Sequence, residues 1–339
     1  MYCVFVVRAS SQIGIGHLMR CLALAQAMQE SQFVPVFLLD AETQAIANNR
    51  KDWYGDIIAV DYQQAADSHI QALHKNQQSS VDWVIIDGYA FDYAYCHLWQ
   101  QHGFKVALFD DGIHSAPYGA DLLINASASV SIATDGTAML SGADYRLLRR
   151  EFYNVSQPPI DHRPNLTISF GGSDPANLTL PLLMLLEQRQ FDGSVSAITG
   201  QAYPLLTELN QFLASTSLNV EHIHGAQNMA DVWSNAKLAV SAAGGSQFEL
   251  AVCATPSILV VVADNQLSAS QNAAEEGWCV VANMTHLTER DQQLLELCTA
   301  IENLWNNQQI LAAMQQSILG KYNALGATRV LASLGNYDE

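Results

Sequence analysis

Basic residues are scarce in this chain. Lys and Arg together number 15 against 33 Asp and Glu among 339 residues, a formal net charge of −18. Binding through nucleic-acid phosphates needs clustered Lys and Arg, so no nucleic-acid partner is expected. No apolar run approaches the roughly 20 residues that cross a bilayer, so no membrane span is expected. The opening Met1–Val7 is apolar but short, with no basic lead-in and no small-residue cleavage site. It reads as a strand and not as a signal peptide. The six cysteines, Cys3, Cys21, Cys96, Cys253, Cys279 and Cys298, form no C-x-x-C pair. Set inside apolar segments, they fit reduced core thiols of a cytoplasmic protein. Low-complexity tracts and short-period repeats are missing. Charged residues make up 14%, well under the share of about 25% usual for globular chains, yet 49% hydrophobic content excludes disorder.

What is present is an alternation. Short β-branched runs are followed by segments of helical spacing, the pattern of βα units on a parallel sheet. Val4–Val7 reads as the first strand, and Leu18, Cys21, Leu22 and Ala25 then recur at i, i+3, i+4 and i+7 as one helix face. Further strands are expected at Val34–Leu39, Ile57–Val60, Trp83–Ile86, Val106–Phe109 and Leu122–Ile124. Residues 154–164 hold three prolines, which exclude helix and central strand and predict a linker. The alternation then restarts, with strands at Leu166–Phe170, Val195–Ile198, Val220–His224, Leu238–Ser241 and Ile258–Val262. Helices are expected near Pro181–Gln190, Asn228–Ala236, Ser246–Val252 and Ser268–Glu276, and the stretch from Arg290 to Leu334 is helical by spacing. The expected architecture is α/β: two Rossmann-like lobes, 1–153 and 165–339, with a cleft between them. Ligands of such sheets sit at the carboxyl ends of the strands.

Three glycine turns link a strand to a helix. The first, Arg8 to His17, carries Gly14 and Gly16. It is not a dinucleotide fingerprint, because Met19 stands at the third glycine position, and not a P-loop, because no Gly-Lys-Ser/Thr follows. The second is Phe170-Gly171-Gly172-Ser173-Asp174. The third is Gly244-Gly245-Ser246, leading on to Glu249. Helix-start amides hold a diphosphate without lysine, which reconciles an anionic ligand with the acidic chain.

Arg8–Arg20, Phe109–Gly112, Leu123–Ala126, Leu148–Phe152 and both later turns resemble the nucleotide-sugar hydrolases of pseudaminic acid biosynthesis. That family acts on UDP-2,4-diacetamido-2,4,6-trideoxy-β-L-altropyranose and is similar in turn to the peptidoglycan N-acetylglucosaminyltransferase. The resemblance implies a GT-B fold, UDP bound in the second lobe, and attack of water on the anomeric carbon with inversion. It implies no metal and no cofactor. The products would be UDP and a free sugar that a synthase turns into a nonulosonic acid for flagellin or surface polysaccharide. A small-molecule UDP-sugar is the expected partner of a monomeric chain.

Carried over by position, the resemblance makes His17 the catalytic base. Glu249 becomes the ribose-binding acid, Gly244, Gly245 and Ser246 the diphosphate turn, and Asn265 and Gln266 the sugar-facing amides. The loop reaching Asn228 and Met229 would hold the uracil. Tyr89, Asn125 and Arg150 are expected to contact the sugar, and Gly14, Gly16, Arg20, Gly171, Gly172 and Ser173 are expected among the residues that bind the UDP-sugar.

The chemistry agrees with those residue types. A base suited to neutral pH activates water, and a helix start with Arg20 one turn on favours the neutral imidazole. UDP leaves readily, so helix-end amides suffice to stabilise it. Other roles stay open at this level. His17 also reads as a packing or capping histidine, and Glu249 as an ordinary first-turn acid. Asp87, Asp110 and Asp111 at strand ends serve either a divalent ion or turn capping and the positioning of His17. His222 and His224 share one strand face but lack a third metal ligand. A glycosyltransferase of the same fold is the alternative function, and a non-catalytic nucleotide-sugar sensor a third.

Overall fold

The computed structural model describes residues 1–10, 14–76, 81–126, 132–285 and 289–337. The chain divides into two units, Met1–Arg150 with Ala324–Glu339, and Glu151–Asn323.

The first unit is built on a parallel sheet. Its strands are β1 (Tyr2–Val7), β2 (Val34–Leu39), β3 (Asp56–Ala59), β4 (Val81–Asp87), β5 (Lys105–Phe109), β6 (Leu122–Asn125) and β7 (Ala138–Ser141), in the order β3-β2-β1-β4-β5-β6-β7. Helices α1 (Gly16–Ala27), α2 (Ala41–Asn48), α3 (Ala66–Asn76) and α4 (Tyr93–Gln101) make the crossovers. Strand β1 shows why its sequence is apolar throughout. Cys3, Phe5 and Val7 enter one core while Val4 and Val6 enter another on the opposite face. A strand covered on both sides has no polar face to alternate. Strand order reverses between β1 and β4, and the register sets Val7 beside Asp87 and Asp87 beside Phe109. The carboxyl edge at that point is the place where such sheets bind ligands.

The second unit repeats the plan with β8 (Asn165–Ser169), β9 (Ser194–Thr199), β10 (Val220–His224), β11 (Ala236–Ala242), β12 (Ser257–Val261) and β13 (Cys279–Asn283), in the order β10-β9-β8-β11-β12-β13. Its helices are α5 (Thr179–Gln188), α6 (Leu206–Leu213), α7 (Met229–Ser234), α8 (Ser246–Val252), α9 (Leu267–Glu275), α10 (Arg290–Trp305) and α11 (Gln308–Ile318). The reversal falls between β8 and β11. The second and third glycine turns follow those two strands.

Two boundaries differ from expectation. The last helix, α12 (Gly326–Gly335), belongs to the first unit. Ala327, Val330, Leu331 and Leu334 share the core of Phe5, Leu24 and Trp83, and the Trp83 indole N–H donates to the Leu334 carbonyl at 3.2 Å. Gly326 starts that helix because a Cβ there would lie 1.9 Å from the Arg146 carbonyl oxygen. The helical stretch from Arg290 is therefore three helices, of which only two stay in the second unit. The proline-rich stretch 154–164 is no free linker either. Ile160 is buried in the second core, and the Arg163 guanidinium, 2% exposed, donates to the carbonyls of Pro158 and Cys253 and to Thr255 Oγ1. Burial draws the pKa of Arg163 down to about 10.

Candidate active site

His17 is the second residue of α1 and is 9% exposed. Arg20 and Cys21 stand three and four residues on, one helical turn along, so all three present to the same side. They meet Asp87, the last residue of β4, which is fully buried. His17 Nδ1 lies 2.7 Å from Asp87 Oδ1. Arg20 donates to the same carboxylate through Nε at 2.6 Å and Nη2 at 2.7 Å, and Cys21 Sγ lies 3.6 Å from Oδ2. Burial pushes the Asp87 carboxyl up, but the Arg20 charge and the bonds from Arg20 and His17 outweigh it and hold it below the usual carboxylate range.

With Nδ1 committed to a carboxylate, the neutral imidazole carries its proton there and offers a lone pair at Nε2. No described residue hydrogen-bonds Nε2. The Tyr89 ring stands edge-on to the imidazole, 4.7 Å between centroids, and is half exposed. The carboxylate behind the ring fixes its tautomer and orientation.

The guanidinium of Arg20 also binds Asp111, at 2.7 and 3.0 Å, and lies over the Phe109 ring at 4.7 Å. Arg20, expected among the substrate-binding residues, is a strut between two carboxylates. Asp110 accepts from the backbone N–H of Gly112 and of His114 and pairs with His114 Nδ1 at 3.1 Å. It caps its own turn. Arg150 points elsewhere than expected: its guanidinium binds Gln29 and Glu30, and its backbone N–H donates to Gln26. Asn125 ends β6 and is buried. Gly14 takes φ +86° and its N–H closes on the Ser10 carbonyl, while Gly16 begins α1. Ser11, Gln12 and Ile13 of this first turn lie outside the described residues.

In the second unit, Gly244 and Gly245 join β11 to α8, and Ser246 is the first residue of the helix. Glu249 sits one turn in and accepts from the Trp233 indole N–H at 2.9 Å. Gln266 comes to the same turn: a Cβ on Gly244 would lie 4.0 Å from its Nε2. Gln266 Oε1 accepts from the Val262 N–H. Of its neighbour Asn265 only the backbone is described.

The second turn departs from the expected strand-turn-helix. Between Ser173 and α5, the buried Asp174 takes the N–H groups of Leu178 and Thr179. The amides at that helix start are thus occupied from within the chain. Gly172 is pressed against Gly200, where a Cβ would lie 2.3 Å from the Gly172 carbonyl oxygen. Asn228 caps α7, and the Met229 N–H donates to Glu151 at 3.0 Å. His222 and His224 share the hydroxyl of Thr199, at 2.8 and 3.1 Å. Asp87 was legible only as one strand-end acid among three, and Trp233 was not singled out at all.

Residues 167–327 match the family model described as the glycosyltransferase family 28 C-terminal domain. A crystal structure of MurG from Acinetobacter baumannii superposes with a TM-score of 0.64 over 99% of both chains at 17% identity. The fold is GT-B. This GT-B chain is 27% identical over 251 residues to the UDP-2,4-diacetamido-2,4,6-trideoxy-β-L-altropyranose hydrolase of Campylobacter jejuni, a match spanning 71% of this chain and 85% of that one. It is 25% identical over 338 residues to an uncharacterized protein of Methanocaldococcus jannaschii, spanning 91% of this chain and 68% of the other. Among the described residues, no helix is long and apolar enough to cross a membrane.

Proposed function

We propose that this GT-B chain is a nucleotide-sugar hydrolase that converts UDP-2,4-diacetamido-2,4,6-trideoxy-β-L-altropyranose to UDP and the free sugar, as a step toward pseudaminic acid. The observation that carries the reading is the His17–Asp87 pair: a buried carboxylate on Nδ1 and, among the described residues, no partner on Nε2. The similarity to the Campylobacter jejuni hydrolase supplies the substrate class.

In this reading Nε2 of His17 takes a proton from water as the water oxygen attacks the anomeric carbon. The anomeric C–O bond breaks on the opposite face, and its electron pair leaves with the diphosphate, which inverts the centre. Asp87 stabilises the imidazolium that forms, and Tyr89 packs the imidazole. Gly244, Gly245 and Ser246 hold the diphosphate, Glu249 the ribose, and Gln266 with Asn265 the sugar. Gly14 and Gly16 leave room near His17, and Asn125 lines the same sheet edge. The six cysteines, all free and buried, support a cytoplasmic setting.

The match of the second unit to a glycosyltransferase domain supports a second reading, a transferase using the same donor. Incubation with a panel of UDP-diacetamido sugars, followed by proton NMR, separates the two. Free sugar released in buffer alone supports the hydrolase. Donor that stays intact until a sugar or lipid acceptor is added supports the transferase.

A further inference from the structure

We propose that Asp111 is a positioning residue that sets the charge of the His17–Asp87 pair through Arg20; this rests on the reading of His17 as the base. The geometry is specific to one of two adjacent acids. Asp110 spends its carboxylate on His114 and its own turn, whereas Asp111 binds Arg20 through both oxygens, at 2.7 and 3.0 Å. Arg20 binds Asp87 equally closely on its other edge, at 2.6 and 2.7 Å, with the Phe109 ring under its face. One cation is thus held between two anions, and the second anion is exposed to solvent.

The count matters for a proton transfer. With His17 neutral, Asp87, Arg20 and Asp111 carry one net negative charge. When His17 takes a proton, the set closes to zero. Without Asp111 the resting set is already neutral, because Arg20 cancels Asp87, and the same step creates a net positive charge beside a buried site. Such a charge is disfavoured where water screens poorly. Asp111 thereby keeps Asp87 effective as the partner of an imidazolium, although Asp87 is bonded twice to a guanidinium.

The other groups facing the pair do not supply this charge. Cys21, from α1, is pushed up by burial and stays a neutral thiol. Tyr89, from the loop after β4, has its phenol raised by burial and by Asp111, and its hydroxyl lies 3.4 Å from Asp111 Oδ2. Asp110, from the loop after β5, spends its carboxylate on His114 and on the backbone of its own turn.

The test uses the whole chain, labelled with ¹⁵N-histidine and titrated by NMR without substrate; His17→Asn assigns the His17 signal by its loss. Asp111→Asn is expected to lower the His17 midpoint by roughly half a pH unit or more. Asp111→Glu is expected to restore it, and Tyr89→Phe, which keeps the charge, to leave it in place. An unmoved midpoint in Asp111→Asn overturns the proposal, as does an equal drop in Tyr89→Phe. The readout needs no turnover. A moved midpoint in a chain that hydrolyses nothing upholds the coupling and rejects the base assignment alone.

Discussion

The indole N–H of Trp233 donates to the carboxylate of Glu249 at 2.9 Å, joining the helix before β11 to the helix after it. The buried indole fixes the acid one turn above Gly244 and Gly245. Glu249→Ala is expected to weaken UDP by about 1–3 kcal/mol, the scale of a lost hydrogen bond to a charged group. Titration calorimetry reads this directly, and an unchanged affinity removes Glu249 from the nucleotide site.

His17 belongs to the first unit and the glycine turn with Glu249 to the second. Exchanging His17 for Asn is therefore expected to spare UDP affinity and thermal stability. Turnover should fall by roughly the 10²–10⁴-fold that a general base supplies. In ¹⁸O-water the label should enter the sugar and not UDP. Near-normal turnover would reject the base, and labelled UDP would show attack at phosphorus.

Turnover is expected to persist in excess chelator. The acids at the strand ends are already engaged, Asp87 and Asp111 by Arg20 and Asp110 by His114. Loss of activity in EDTA with recovery on adding Mg²⁺ or Mn²⁺ would make Asp110 and Asp111 metal ligands instead.

The Asp110–His114 pair gives the first unit a pH signature. The bond to Asp110 raises the pKa of His114. A raised histidine stabilises fully below its unfolded pKa of about 6.5, and the contribution fades as pH rises through the folded value. Burial pushes Asp110 up, but its bonds to His114 and to the turn lower it overall, so its own contribution fades only in acid. His114→Gln should therefore destabilise more at about pH 5.5 than at about pH 8.5. Urea unfolding at the two pH values measures the difference, and equal losses would show the pair to be neutral.

The alternation of apolar runs placed eleven of the described strands, the edge strands β3 and β10 included, most of them buried on both faces and so written in a short continuous code. Strands β7 and β13 escaped it; both are edge strands with half-exposed residues, and neither carries a strong pattern. The shared face of His17, Arg20 and Cys21 follows from helical spacing. Their meeting with Asp87, 70 residues after His17, follows from the register of β1 against β4, which periodicity does not encode. Arg150 misled for a related reason: position near a motif says nothing about where a long side chain turns, and Gln29 and Glu30 claimed it.

Helix α12 gives the chain an order of assembly. The second unit is one uninterrupted stretch, Glu151–Asn323, whereas the first is split around it. As the chain leaves the ribosome, the unit begun first is the one finished last. Until α12 emerges, the apolar face of Phe5, Leu24 and Trp83 lacks its cover. A released chain truncated after Asn323 should therefore yield a protease-resistant second unit beside a first unit that is still cleaved. A premature stop before Gly326 damages the domain encoded farthest from it.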